Sequence, residues 1–240
     1  MNAFFLDRHD FVPYGVEHGL ILVLYSLIGL GIIYYCRQQP EREKYRKHLS
    51  YFLAFITILQ LVKPFIRLHF GIFDIKNDLP LHLCNMLPLF MWLSIRFNSR
   101  LWFSILFFWV IIGTTQSLFT PTVTETFPHY ESIRYWTVHF GLTFAALFGW
   151  LVIGFIPTPR HALLSLLVFY ILALSIYFIN VSLDSNYWYL NGKPKEATLL
   201  DSLWHWPNYI IQLEIISLSS FLGLAYLIKW VSPVDKNTLA

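Results

Sequence analysis

The chain has 240 residues, of which 56% are hydrophobic, 19% aromatic and 13% charged. Soluble domains usually carry about 25% charged residues, so this composition argues against a soluble protein and predicts an integral membrane protein. The formal net charge is +3, but the basic residues stand in short segments between apolar runs, where they orient helices in the bilayer. We therefore predict no nucleic-acid binding.

Apolar runs of the ~20 residues that cross the ~30 Å hydrocarbon core recur along almost the whole chain. They leave no stretch for a separate soluble domain, so residues 1–240 are interpreted as one domain. The predicted fold class is all-α, a polytopic bundle of seven transmembrane helices. The predicted spans are residues 16–36, 49–70, 79–97, 101–119, 133–156, 162–181 and 207–230.

The charges between the first two spans predict the orientation. Five basic residues stand between positions 37 and 47, and short Lys/Arg-rich loops stay on the cytoplasmic side. The N-terminus is thus predicted outside and the C-terminus inside, in the cell membrane. Under this topology Cys36 and Cys84 lie at opposite membrane faces, beyond the ~7 Å between Cα atoms that a disulfide allows. Both are predicted to be free thiols.

Polar residues inside the spans gather at the predicted outer side. Gln60, Lys63 and Arg67 are three and four residues apart, so they share one helix face. Snorkelling of long side chains to the interface suits Arg67 better than Lys63. The stripe is interpreted either as the lining of a binding site or as a structural network.

Residues 79–88 (Leu-Pro-Leu-His-Leu-Cys-Asn-Met-Leu-Pro) are the sharpest local feature. Pro80 suits a first helical turn, and Pro88 removes the hydrogen bond to the Cys84 carbonyl. Cys84 is either a small packing residue or a nucleophile with histidines nearby. On a regular helix His82 lies roughly 200° around the axis from Cys84, so His139 is the first candidate for a general base and His82 the second.

The histidines show no compact ligand spacing, so we predict neither a metal nor a cofactor. His129 is interpreted either as a substrate-binding residue or as a histidine at the membrane interface. The aromatic residues at positions 186–190 fit the interfacial belt of a membrane protein. The polar residues at the outer side predict a pocket there. We expect the first five spans to bound this pocket and the loop at residues 182–207 to cover it.

Several motifs give a resemblance to a known family. They are residues 79–84, 116–121 (Gln-Ser-Leu-Phe-Thr-Pro), 127–129 (Phe-Pro-His), His139, 186–190 (Asn-Tyr-Trp-Tyr-Leu), 193–194 (Lys-Pro), 199–201 (Leu-Leu-Asp) and 206–209 (Trp-Pro-Asn-Tyr). In this order they resemble the YwaF-type family of bacterial integral membrane proteins, which is related to a eukaryotic ether-phospholipid acyltransferase. The resemblance implies cysteine-centred transfer of fatty acyl chains between phospholipids, with Cys84 as the acyl acceptor.

Two hypotheses follow. The first is a lipid-modifying enzyme in which Cys84, with His139 or His82 as base, attacks a phospholipid from the outer-leaflet side; its partners are a phospholipid or lysophospholipid and the membrane. The second is a transporter or binding protein that uses the same pocket for a lipid or small solute. The predicted substrate-binding residues are Gln60, Lys63, Arg67, Asn85, Gln116, His129, Asn186, Tyr187 and Tyr209.

Overall fold

The computed structural model describes residues 4–5, 10–40, 42–194 and 199–232. Within these ranges the chain is helical and contains no strand. Two π-helical segments, Trp109–Thr114 and Gly149–Ile153, continue α4 and α6, and short 3₁₀ turns occur at Tyr187–Tyr189 and Leu199–Ser202. The α-helices are α1 (Val16–Arg37), α2 (Arg42–His69), α3 (Leu83–Arg96), α4 (Arg100–Phe108), α5 (Gln116–Phe119), α6 (Tyr130–Phe148), α7 (Pro159–Leu183) and α8 (Asn208–Val231).

In the part of the chain that the structure describes, six helical segments are long and apolar enough to cross a bilayer: Val16–Arg37, Lys44–His69, Arg100–Phe119, Tyr130–Ile153, Pro159–Leu183 and Asn208–Val231. The seventh, α3, is apolar but has 14 residues, which at 1.5 Å per residue reach about 21 Å. The protein is thus an all-α, multi-pass integral membrane protein, as the sequence predicts. The orientation of the termini stays a prediction.

The second helix begins earlier than predicted. Because α2 starts at Arg42 rather than at residue 49, most of the basic run belongs to its first turns and not to a loop. Arg46 shows one use of this arrangement, since its Nη1 donates to the Ile95 carbonyl at 3.0 Å. The Ile95 carbonyl also accepts from the Asn98 N–H at 3.2 Å, so the guanidinium adds a second hydrogen bond that ties the start of α2 to the end of α3.

The third helix begins later than predicted, so Pro80 does not occupy a first helical turn. Residues 79–82 form irregular turns, and His82 is the N-cap of α3. The connection between α7 and α8 takes up their backbone groups: the Leu79 N–H donates to Tyr187 Oη at 3.2 Å, and Trp188 Nε1 donates to the Leu81 carbonyl at 2.6 Å. Irregular backbone at membrane depth is tolerated where protein surrounds it.

The buried core encloses α3. Leu87, Met91 and Ile95 on this helix are all 0% exposed, and no residue from 78 to 95 is exposed. Close packing nearby depends on Gly149, where an added Cβ would lie 2.3 Å from Phe103 Cζ. The short helix is therefore held by its neighbours, and its N-terminal end points into an internal cavity.

Candidate functional site

A cavity of about 690 Å³ lies at the N-terminal end of α3. Its walls come from α2, α3, the π-helix with α5, α6, α7 and α8, and Trp188, Tyr189 and Leu190 cover it. The predicted cover by the loop after α7 is therefore present. The predicted walls need a correction, because α1 contributes no lining residue whereas α7 and α8 do.

Cys84 lines this cavity as the second residue of α3. Burial of the thiol disfavours a thiolate, whereas the partial positive charge at the N-terminus of a helix favours it. The thiol lies beside the hydroxyls of Thr114 and Ser117, and the Arg134 charge acts on it. The unwound turn at His82 thus leaves Cys84 at the end of a helix rather than within one.

His139 lines the same cavity from α6, and its hydrogen bond decides its tautomer. Its Nδ1 lies 2.7 Å from the Tyr135 carbonyl. A carbonyl only accepts hydrogen bonds, so Nδ1 carries the proton and Nε2 has an open lone pair. The imidazole packs on the Tyr135 ring at 4.1 Å between centroids, and Tyr135 is also a neighbour of Cys84. His139 can therefore accept a proton inside the cavity.

His82 is in the opposite tautomer to His139. It lies between the rings of Tyr187 and Tyr189, at 5.1 and 5.5 Å between centroids. Its Nδ1 accepts a long hydrogen bond, 3.5 Å, from the Trp188 N–H. Because a backbone N–H only donates, Nε2 holds the proton in this arrangement. His82 therefore offers no open lone pair on Nε2, unlike His139, and the assignment of the base stays a prediction.

Five charged residues form a cluster on the α2 and α6 side of the cavity. Arg67 Nε donates to Asp78 Oδ2 at 2.7 Å, and Arg134 Nη2 donates to Glu131 Oε2 at 2.6 Å. Lys63 Nζ keeps longer distances, 3.8 Å to Asp78 Oδ1 and 3.7 Å to Glu131 Oε2. Within this cluster Lys63 is the cation whose ion pairs are too long for hydrogen bonds.

The predicted stripe on α2 therefore divides into two parts. Gln60 is 1% exposed and accepts a 2.6 Å hydrogen bond from Arg134 Nη1 behind the wall. Lys63 and Arg67 line the cavity. The stripe is a structural network at Gln60 and a cavity lining at Lys63, so both interpretations of the sequence apply to different residues.

The remaining predicted residues fall into two groups. Asn85 and Gln116 line the cavity beside Cys84 and His139. His129 instead caps α6, where its Nδ1 accepts from the Glu131 N–H at 3.1 Å. The other three hold the cover in place rather than line the cavity: Asn186 donates to the Gly192 carbonyl, Tyr187 to the Ile75 carbonyl and Tyr209 to the Tyr189 carbonyl.

The same cover is tied to the loop before α3 by charge. Lys76 Nζ lies 2.5 Å from Asp184 Oδ2 at the end of α7. This hydrogen bond and the Lys76 charge hold the pKa of Asp184 below its usual value. Both side chains are exposed, so the pair adds little to stability.

The wall opposite the charged cluster is mostly apolar and was not predicted. Phe169 and Ala173 of α7 and Leu213 and Phe221 of α8 line it. Tyr170 and Ile216 also line the cavity and are 38% and 45% exposed. The cavity therefore reaches the lipid-facing surface between α7 and α8.

The sequence analysis missed several polar residues of the cavity region: Asp78, Glu131 and Arg134 of the charged cluster, and also Glu214 and Thr114. Glu214 is an exposed lining residue close to Tyr170, about 9 Å along α8 at 1.5 Å per residue. A carboxylate inside an apolar span is a signal that could have found it. Thr114 gives no such signal, because a threonine in an apolar helix is ordinary.

The described residues contain no group of three or more His, Cys, Asp and Glu side chains that could hold a metal ion. Cys36 and Cys84 are both free thiols, as predicted. The groups that the cavity offers for chemistry include Cys84, the open Nε2 of His139, amide and hydroxyl donors, and the charged cluster.

Residues 13–225 match the TMEM164 family, and the chain belongs to this family. No curated protein and no solved structure matches the chain. Membership fits a multi-pass membrane protein. It does not test the resemblance to the YwaF-type family or the relation to an acyltransferase, which stay predictions.

Proposed function

We propose that this member of the TMEM164 family is a membrane-embedded enzyme that transfers acyl chains between phospholipids through Cys84, from the outer-leaflet side. The observation that carries the proposal is the composition of one cavity. Cys84 lines it together with a charged cluster on one side and an apolar wall open to lipid on the other. A phospholipid has the matching parts, an anionic phosphate, an ester carbonyl and hydrocarbon chains.

The first half-reaction forms an acyl thioester on Cys84. His139 Nε2 accepts the Sγ proton, and the thiolate attacks the ester carbonyl of the donor lipid. The ester C–O bond then breaks, and the leaving alkoxide takes the proton from His139 as a lysolipid departs. The supporting geometry is the Nδ1–H bond from His139 to the Tyr135 carbonyl, which keeps Nε2 open.

The second half-reaction transfers the acyl chain to a lysophospholipid. His139 Nε2 accepts the proton of the acceptor hydroxyl, whose oxygen attacks the thioester carbonyl. The C–S bond breaks and Cys84 leaves as a thiolate, which regains the proton from His139. The enzyme returns to its starting state without a cofactor or an external oxidant.

Asn85 and Gln116 are the proposed oxyanion donors, since both side-chain amides line the cavity. Lys63 is the proposed phosphate anchor because its ion pairs are long. Arg67 Nε donates to Asp78 Oδ2 at 2.7 Å. Arg67 therefore adds positive charge near the phosphate without binding it directly. Tyr209, predicted as a substrate-binding residue, instead donates its hydroxyl hydrogen to the Tyr189 carbonyl and holds the cover.

Intact mass spectrometry of the full chain in phosphatidylcholine nanodiscs tests the proposal. We expect wild type to gain one acyl mass that neutral hydroxylamine removes, and Cys84→Ala to gain none. Cys36→Ala is the matched control and should acylate like wild type. Absence of a thioester from wild type, with the same lipid profile as Cys84→Ala, would overturn acyl transfer in favour of a binding or transport protein.

A further inference from the structure

The hydroxyl of Thr114 is a buried polar group that bonds to no backbone carbonyl. Thr114 is 0% exposed, and its Oγ1 makes no hydrogen bond of ordinary geometry to the residues that the structure describes; the polar group within its reach is the Cys84 thiol. Leaving a buried hydroxyl unsatisfied is unfavourable, and such groups are few in native proteins. The position therefore calls for a physical explanation.

Other threonines in the spans show what is usual. Thr57 Oγ1 donates to the Leu53 carbonyl at 2.7 Å, and Thr115 Oγ1 donates to the Val110 carbonyl at 3.1 Å. Both follow the common pattern in which a helical hydroxyl bonds to a carbonyl one turn back. Thr114 does not, although it is the last residue of the π-helix Trp109–Thr114.

Thr114 is a neighbour of Cys84, the proposed nucleophile. The Thr114 side chain lies beside the Cys84 thiol, with Ser117 as the second hydroxyl there. π-Helical segments are rare and occur frequently at functional sites. This one places an unused donor next to sulfur rather than on the helix backbone.

We propose that Thr114 is a positioning residue that donates its hydroxyl hydrogen to the Cys84 thiolate. The inference rests on the proposed function, since it assigns a thiolate to Cys84. A charged acceptor forms a stronger hydrogen bond than a neutral one, so the donor gains its partner when the thiolate forms. The Sγ proton passes to His139 Nε2, while Thr114 keeps its own proton and only turns it towards sulfur.

Other groups around the thiol act on the same equilibrium. Arg134, Tyr135 and His139 approach from α6, and His82 precedes α3. Ser117 lies on α5, one turn after Thr114. None of them changes in the variants below, so a difference between these variants reports the Thr114 hydroxyl.

The test is the pH dependence of Cys84 alkylation by iodoacetamide, in full-length protein in nanodiscs with Cys36→Ala as background. We expect Thr114→Val to move the midpoint of the rate profile up by about one pH unit and to slow alkylation about tenfold at neutral pH. Thr114→Ser keeps the hydroxyl and should retain the parent profile. Thr57→Val removes a satisfied buried hydroxyl elsewhere and should leave the profile unchanged.

Two outcomes would overturn the proposal: a parent-like profile for Thr114→Val, or an equal shift for Thr114→Ser, which would assign the effect to packing. Alkylation needs no lipid substrate, so the two proposals fail separately. A shifted profile in a protein that forms no thioester retains the hydrogen bond and rejects acyl transfer. An unchanged profile in a protein that does form one rejects the role of Thr114 alone.

Discussion

The two cysteines occupy two different cavities. Cys84 lines the 690 Å³ cavity of mixed character. Cys36 lines a second cavity of about 380 Å³ between α1, α2 and α6, with walls of mainly apolar side chains such as Ile32, Phe52 and Phe144. Both are unpaired thiols inside the bundle, so the difference between them lies in their surroundings.

Helix position separates the two thiols most simply. Cys84 is the second residue of α3, whereas Cys36 is the last but one of α1. The helix dipole gives a partial positive charge at the N-terminal end, near Cys84, and a partial negative charge at the C-terminal end, near Cys36. Cys84 also has two hydroxyls beside it. Because burial disfavours a thiolate at both sites, a difference in reactivity between them has to come from the helix end and the neighbouring donors.

The largest expected effect comes from removing the proposed base. His139→Gln keeps a polar side chain but cannot accept a proton, so the rate of thioester formation on Cys84 should fall about 10³-fold. A time course of intact mass after lipid addition measures it. Alkylation of Cys36 in the same variant is the control and should be unchanged. An equal loss for His82→Gln with none for His139→Gln would reverse the two assignments.

The two thiols should also differ in the wild-type protein. We expect uncharged N-ethylmaleimide to modify Cys84 about 100-fold faster than Cys36 at neutral pH, because a helix N-terminus and hydroxyl donors favour the thiolate. Peptide mapping of a time course gives both rates in one sample. Equal rates, or faster modification of Cys36, would contradict the contrast drawn from the helix ends.

A steric change tests whether the far end of the bundle is purely structural. In Gly149→Ala the new Cβ would clash with Phe103 Cζ at 2.3 Å, which should lower the free energy of unfolding by about 2 kcal/mol. Thermal unfolding in detergent measures it, and Gly31→Ala is the control because nothing lies within 4 Å of that position. Thioester formation per folded molecule should stay at the wild-type level.

The smallest effect concerns the two cations of α2. Lys63→Gln should weaken phospholipid binding about tenfold, the cost of one charge-assisted contact, with little change in thermal stability. Arg67→Gln should mainly lower stability, because it leaves the buried Asp78 carboxylate without its 2.7 Å partner. Lipid titration by native mass spectrometry separates the two, and loss of binding in Arg67→Gln alone would reverse the roles.

The sequence predicts the helices well because hydrocarbon thickness dictates the length of apolar runs. It fails at residues 79–82, where backbone groups bond to Tyr187 and Trp188 and the chain forms irregular turns. These partners are about 100 residues away in the chain, so no local pattern predicts the unwound turn.

The polar residues of the cavity are predictable only in part. Lys63, His139 and Cys84 stand out because polar groups inside spans need an explanation. The division between Lys63 and Arg67 depends on Asp78, which lies in a loop, and the isolation of Thr114 depends on a π-helix. Such details follow from tertiary packing and need the structure.

The opening between α7 and α8 has a kinetic consequence. Trp188 closes the cavity from above through its bond to the Leu81 carbonyl, while exposed lining residues such as Tyr170 face the lipid. Under the proposed function a lipid enters sideways, and the concentration that governs its entry is its mole fraction in one leaflet. Dilution with inert lipid at constant total lipid should slow turnover, whereas dilution of the whole sample with buffer should not.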